Sequence, residues 1–180
     1  DIGCAMGENG TDVAKGASDM IITDDNFATI VSAVREGRII YGNIKKAVHF
    51  LLSSNIGEIM TVFAAMLFGW GSPLLPIHLL WVNLITDSLP AVALGLDRPE
   101  DDVMASGPSE AGESLFSGGL GQRIVFEGIM IGTLALAAFG AGRMLSGNDM
   151  TASTMAFAVL SLSQLVHAFN MRTEGSIFGI

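Results

Sequence analysis

Four stretches of the sequence, at about 47–69, 74–96, 120–143 and 150–171, approach the length of apolar chain that a bilayer-spanning helix needs, roughly 20 residues. No other feature constrains the fold as tightly. In lipid every backbone N–H and C=O must find its partner inside the protein, and an isolated stretch can meet that demand only as a helix. The competing reading is a buried helical core in a large soluble protein. Segments 47–69 and 74–96 are joined by little more than GWGSP. Their apolar residues run round every side, which favours the membrane. Composition agrees, since half the residues are apolar and only 15% are charged, against about a quarter in soluble domains.

The rest of the chain is organised differently. In residues 1–46 the short β-like runs IGCAMG and MIITD alternate with the helically spaced TDVAKGAS and FATIVSAVREG, which predicts the last piece of an α/β domain. DIGCAMGENG has no basic segment leading into an apolar core, so it reads as the interior of a longer chain and not as a signal peptide. Asp24, Asp25 and Asn26 offer a cap to the helix that follows. The acidic segment 97–119, with two prolines and little periodicity, reads as a solvated loop. We expect boundaries at 1–40, 41–96, 97–119, 120–171 and 172–180. A net charge of −9 argues against nucleic acid as a partner, and the single cysteine, Cys4, permits no intrachain disulfide and no cysteine metal cluster. Placing both ends in the cytoplasm puts Arg35, Arg38, Lys45, Lys46, Arg98, Arg123 and Arg172 inside and leaves only Arg143 outside, as the positive-inside rule requires.

The chemistry lies in polar residues set within the apolar runs. SSNIGE places Asn55 and Glu58 three residues apart, on one helix face; Asn83, Thr86 and Asp87 share a face in LLWVNLITDSLPAVALGL. Glu58 falls near the middle of its segment and Asp87 about two residues past the middle of the next, so antiparallel neighbours would bring the carboxylates to one level near the midplane. An ionised Asp there costs roughly 2.5–3.5 kcal/mol on insertion scales. Pro90 cannot donate to the Thr86 carbonyl, which predicts a loosened helix beside Asp87. An all-oxygen set of carboxylates, amides, hydroxyl and carbonyls suits a hard cation, above all Ca²⁺. Plain helix glue accounts for Ser53, Ser54 and Ser88 but not for two midplane carboxylates.

Other features carry less. MGENGTD lacks the GK[ST] of a P-loop and reads as a structural turn. His49, His78 and His167 are isolated in sequence and read as interfacial or core residues. Arg123 and Glu127 are spaced to pair, and Gly128 and Gly132 form a GxxxG whose plain meaning is close helix packing.

Taken together, AMGENGTDVAKGASDMIITDDNFATIVSAVREGR, SSNIGE and LLWVNLITDSLPA resemble the carboxy-terminal part of P-type cation-transporting ATPases, close to the calcium pumps of the sarcoplasmic-reticulum type and their bacterial relatives. The resemblance covers nearly the whole chain. It implies a mainly α fold: a four-helix transmembrane bundle, helices five to eight of the family, preceded by the end of a Rossmann-like α/β phosphorylation domain. It implies Asn55, Glu58, Asn83, Thr86 and Asp87 as Ca²⁺ ligands. A sodium–potassium pump would be expected to have Pro at the Gly57 position and an acid at Asn83, and plasma-membrane calcium pumps lack the acid at Glu58. In helix eight the relatives' Glu ligand is replaced by Gln164. The family's DKTGT motif has no counterpart here. The resemblance therefore implies a fragment of a pump whose phosphorylated Asp and bound ATP and Mg²⁺ lie elsewhere. Its partners would be the bilayer and the remainder of the same polypeptide: helices one to four, nine and ten, with the actuator and nucleotide domains. Another cation (Na⁺, Mn²⁺ or H⁺), or a passive channel or secondary transporter, is the alternative.

Overall fold

A computed structural model describes residues 2–98, 103–105, 107 and 114–172. These fall into two compact units, residues 2–41 with 103–105 and 107, and residues 42–98 with 114–172. The acidic loop is thus described only in part, and 173–180 lie outside the described residues.

In the first unit, β1 (Cys4–Met6) and β2 (Met20–Ile22) pair in parallel, with Ala5 opposite Ile21, and α1 (Asp12–Ala17) connects them. Thr11 caps α1 by accepting the Ala14 amide at 3.3 Å. The MGENGTD segment is a structural turn whose free amides already have an anion. The Asp25 carboxylate accepts from the Glu8 and Asn9 amides, each at 2.9 Å, and from the Asn9 side chain at 2.6 Å. These bonds, the Glu8 amide foremost, hold the Asp25 carboxyl below its ordinary range, and Asp25 takes φ 49° to reach them. At the start of α2 (Ala28–Leu67), Asn26 accepts the Ala28 amide at 3.0 Å, and Asp24 accepts the Thr29 hydroxyl. The capping expected of the Asp24–Asn26 stretch is present, with Asp25 turned instead to the β1–α1 turn.

The second unit is helical. α2, whose residues from 42 onward belong to this unit, runs 40 residues without interruption, so the apolar segment expected from 47 is the later part of a longer helix. The GWGSP turn follows, with Gly69 and Gly71 at positive φ. Residues Pro76–Gly95 then form one helical run of 20 residues. It comprises α3 (Pro76–Trp81), a π-helical stretch (Val82–Asp87) and α4 (Ser88–Gly95). After a 3₁₀ turn at Ser117–Gly119 come α5 (Leu120–Ser146) and α6 (Asp149–Arg172). Among the described residues four helices are long and apolar enough to cross a membrane, as the four apolar stretches require, and the protein is an integral membrane protein.

Packing fixes the bundle from its centre. Leu74, Val82, Ile131, Ala135, Phe139, Ala152, Ala156 and Leu160 form the apolar core. Outward-facing residues such as Ile59, Phe63, Leu84, Phe126 and Leu162 stay exposed, as they must where lipid or further protein covers them. The GxxxG of α5 is a contact: a Cβ at Gly128 would stand 2.8 Å from the Ser53 carbonyl oxygen, and one at Gly132 would stand 2.8 Å from that of Gly57. At one end of the bundle Asn43 donates to the Gly95 and Asp97 carbonyls. There Lys46 donates to the Arg172 carbonyl, and Arg172 pairs with Asp97 at 3.3 Å.

Candidate cation-binding site

Pro90 perturbs its helix without breaking it. The expected loosening takes the form of the π-helical stretch Val82–Asp87, one turn upstream of the proline. Wide turns of this kind leave carbonyls imperfectly paired and recur at functional sites. Within this stretch the Asn83 carbonyl also accepts the Ser88 hydroxyl at 2.9 Å. The stretch also re-aims the side chains that α-helical spacing would have stacked on one face.

Asn83 points across to α2, where its Nδ2 donates to Glu58 Oε2 at 3.0 Å. On the other oxygen, Gln164 Nε2 of α6 donates to Glu58 Oε1 at 3.3 Å. Glu58 therefore sits between two amides from two different helices, 6% exposed. Asp87 lies close enough to Glu58 for the two carboxyl groups to interact electrostatically; it is only 2% exposed, and neither of its oxygens has a hydrogen-bond partner among the described residues. The Gln164 Oε1 carbonyl and the Ser54 and Ser161 hydroxyls are likewise buried without partners among the described residues. Two neighbouring buried carboxyl groups, with the orphan Gln164 carbonyl beside them, form an oxygen-rich cluster. A buried carboxylate left with no donor costs several kcal/mol. A cation is one group that oxygens of this kind could hold.

The remaining expected ligands stand at the margin. Thr86 is buried and borders a groove of about 680 Å³ between its helix and α6, lined also by Trp81, Pro90 and Ser161. Asn55 is on the Glu58 side of α2, but its Nδ2 donates to the Leu51 carbonyl at 2.7 Å, one turn back. Glu58, Asn83 and Gln164 are thus joined directly, with Asp87 beside them, while Thr86 borders the groove and the Asn55 side chain bonds back to its own helix.

Two sequence expectations need correction. Glu127 turns away from Arg123 and pairs with His49, with His167 close behind. His49 and His167 are therefore not isolated; they meet from α2 and α6, and no sequence spacing announces a pairing between helices so far apart in the chain. His78 keeps a packing role, stacked on Phe157 at 4.7 Å.

Comparison with known proteins agrees with this architecture. Residues 71–180 match the family model described as "Cation transporting ATPase, C-terminus". The chain is 54% identical to a calcium-transporting ATPase 1 of Bacillus cereus, with 100% of the chain and 22% of the relative covered. It is 50% identical to a calcium-transporting ATPase of Bacillus subtilis, over 99% of the chain and 20% of the relative. An endoplasmic reticulum-type calcium-transporting ATPase 3 of Arabidopsis thaliana is 49% identical over 77% of the chain and 14% of its own length. The chain thus spans about a fifth of the length of the bacterial relatives it matches. With the family model covering more than half of its residues, the chain belongs to the cation-transporting ATPases, whose C-terminal region it matches.

Proposed function

We propose that this chain is the ion-binding membrane portion of an ATP-driven pump that moves Ca²⁺ out of the cytoplasm. The observation that carries the reading is the Asp87 carboxylate, buried between helices with both oxygens unpartnered, beside Glu58 and the orphan carbonyl of Gln164. Hard oxygen donors with two negative charges favour a divalent cation that takes many oxygens at flexible geometry. The relatives named calcium-transporting ATPases support Ca²⁺ as cargo.

In this reading the ligands are Asn55, Glu58, Asn83, Thr86, Asp87 and Gln164. The phosphorylated Asp, ATP and Mg²⁺ belong to parts of the polypeptide outside this chain, as do the actuator and nucleotide domains and helices one to four, nine and ten. The β1–α1–β2 unit is the end of the Rossmann-like phosphorylation domain, α2 to α6 supply helices five to eight, and both ends of the segment are cytoplasmic. Phosphorylation energy alters the packing of α2 against the 76–95 helix, opening the Glu58–Asp87 pocket to one side and then the other. Because Asn83 and Gln164 clasp opposite oxygens of Glu58, small shifts of either helix change what Glu58 can offer an ion.

The test is Asp87→Asn in the complete pump. The substitution keeps size and one carbonyl but removes the charge that a dication needs. Calcium-dependent phosphorylation by ATP should be lost, while phosphorylation by inorganic phosphate without calcium should persist. Calcium-dependent phosphorylation at wild-type level would remove Asp87 from the ligand set.

A further inference from the structure

We propose that His49, Glu127 and His167 form a second cation site, distinct from the Glu58–Asp87 pocket and selective for a zinc-class transition-metal dication. The three side chains come from α2, α5 and α6, and one ligand atom from each lies within 4.8 Å of the others. Glu127 Oε2 is the hub: it is hydrogen-bonded to His49 Nε2 and lies 3.7 Å from His167 Nε2. Two imidazole nitrogens thus stand within 3.7 Å of one carboxylate oxygen, although only that of His49 is hydrogen-bonded to it.

The dimensions suit a small metal ion. Zinc binds imidazole nitrogen and carboxylate oxygen at roughly 2.0–2.2 Å, which puts tetrahedral ligands about 3.3 Å from one another. Side-chain movements of under about 1 Å would bring the observed triangle to that geometry. The Ser53 hydroxyl, 2.7 Å from His167 Nε2, would have to yield that contact. It can do so without being orphaned, because it also lies within hydrogen-bonding distance of the His49 and Phe50 carbonyls. The imidazole side chains are 10% and 5% exposed, whereas Glu127 is 22% exposed, which leaves an entry path and a fourth coordination position on its side.

Donor chemistry separates this site from the first. Two neutral imidazoles and one carboxylate suit zinc, iron, cobalt or nickel and are too few and too soft for Ca²⁺, which takes six to eight oxygens. His49 and Glu58 are nine residues apart on α2, roughly 13 Å along the helix axis, so the two sites can be filled independently. An ion held here would tie α2, α5 and α6 together near the end of the bundle where Lys46 and Arg172 meet.

The experiment uses the full-length protein that carries this chain, purified in detergent, stripped with chelator and kept in saturating Ca²⁺. Zn²⁺ is then titrated calorimetrically, and the bound metal is examined by X-ray absorption at the zinc edge. One Zn²⁺ with two imidazoles in its shell is expected in the wild type, with affinity at least about 100-fold weaker in His49→Gln and in His167→Gln. Ser53→Ala keeps all three ligands and should bind Zn²⁺ as well as the wild type or better. Absence of Zn²⁺ binding in the wild type would overturn the proposal, as would wild-type affinity in both histidine variants. So would a loss in Ser53→Ala as large as theirs, because that would report packing and not coordination.

Discussion

Gly128→Ala is a sharp test of how the bundle is held together. The added Cβ would lie 2.6 Å from Ile56 Cβ and 2.8 Å from the Ser53 carbonyl oxygen. Carbon atoms prefer about 3.5–4.0 Å, so α2 and α5 would have to separate by roughly 1 Å. One partner is backbone and the other the branch point of a stiff side chain, so no rotamer change relieves the contact. Separation would also strain the Thr61 hydroxyl, which reaches the Gly57 carbonyl at 2.7 Å and the Gly132 carbonyl at 3.3 Å. Overpacking of this kind costs about 1–3 kcal/mol, while replacing a helical Gly with Ala returns about 0.8–1.0 kcal/mol in propensity. Gly121→Ala supplies the control: it lies on the same helix and a Cβ there meets nothing within 4 Å. The difference between the two variants isolates the steric cost, and we expect Gly128→Ala to be less stable by about 1–3 kcal/mol. Denaturation in mixed micelles can be followed by tryptophan fluorescence, since Trp70 packs on Phe139 of α5. Stability of Gly128→Ala equal to that of Gly121→Ala would refute close α2–α5 packing at this point.

Other outcomes follow from the same structure. In a cysteine-free background of the full-length protein in intact cells, Ser72→Cys and Asn148→Cys should react with an impermeant thiol reagent from outside, and Ala105→Cys should not; labelling of position 105 from outside would reverse the topology. If the proposed function holds, the complete pump should bind one Ca²⁺ per cycle, and Gln164→Glu should raise this to two, because Gln164 offers Glu58 an amide where the resemblance expects a carboxylate. Equilibrium ⁴⁵Ca binding decides this, and two cooperative ions in the wild type would defeat it. The Asp25 carboxyl should titrate by NMR below its reference value of 3.8, because the Glu8 and Asn9 amides favour its ionised form. Its stabilisation of the β1–α1 turn is then present at and above ordinary carboxylate pKa values and is lost as pH falls through the depressed one. Asp25→Asn should flatten that acid limb, and an unchanged limb would show that the carboxylate contributes nothing to the turn.

The helices were legible because lipid leaves so few choices: a long apolar run has one way to satisfy its backbone, whatever its neighbours. The meeting of Glu58 with the 76–95 helix was legible for a related reason, since antiparallel helices joined by a tight turn convert sequence position into depth. What depth cannot supply is rotation about the helix axis. Asn83, Thr86 and Asp87 share a face only if every turn is α-helical. The π-helical stretch changes the angle between them, so Asn83 reaches Glu58 while Thr86 borders the groove toward α6. Pro90 signalled a disturbance but not its kind.

Partners from distant segments were the hardest to read. Gln164 entered through resemblance alone, because nothing in MAFAVLSLSQLVHAFN fixes which of its polar residues faces α2. His49 and His167 looked isolated for the same reason, and the Arg123–Glu127 spacing offered Glu127 a local partner that it does not use. A glutamate near a bundle end can keep its charge by reaching Arg123 in the interface, or can turn inward to two imidazoles and bury its stem. The inward choice is available because Gly128, the next residue, lets α5 lie against Ser53 and brings Glu127 within reach of His49. Small residues at the α2–α5 contact therefore do two things at once: they set the helix separation, and that separation places the His49–Glu127–His167 triangle.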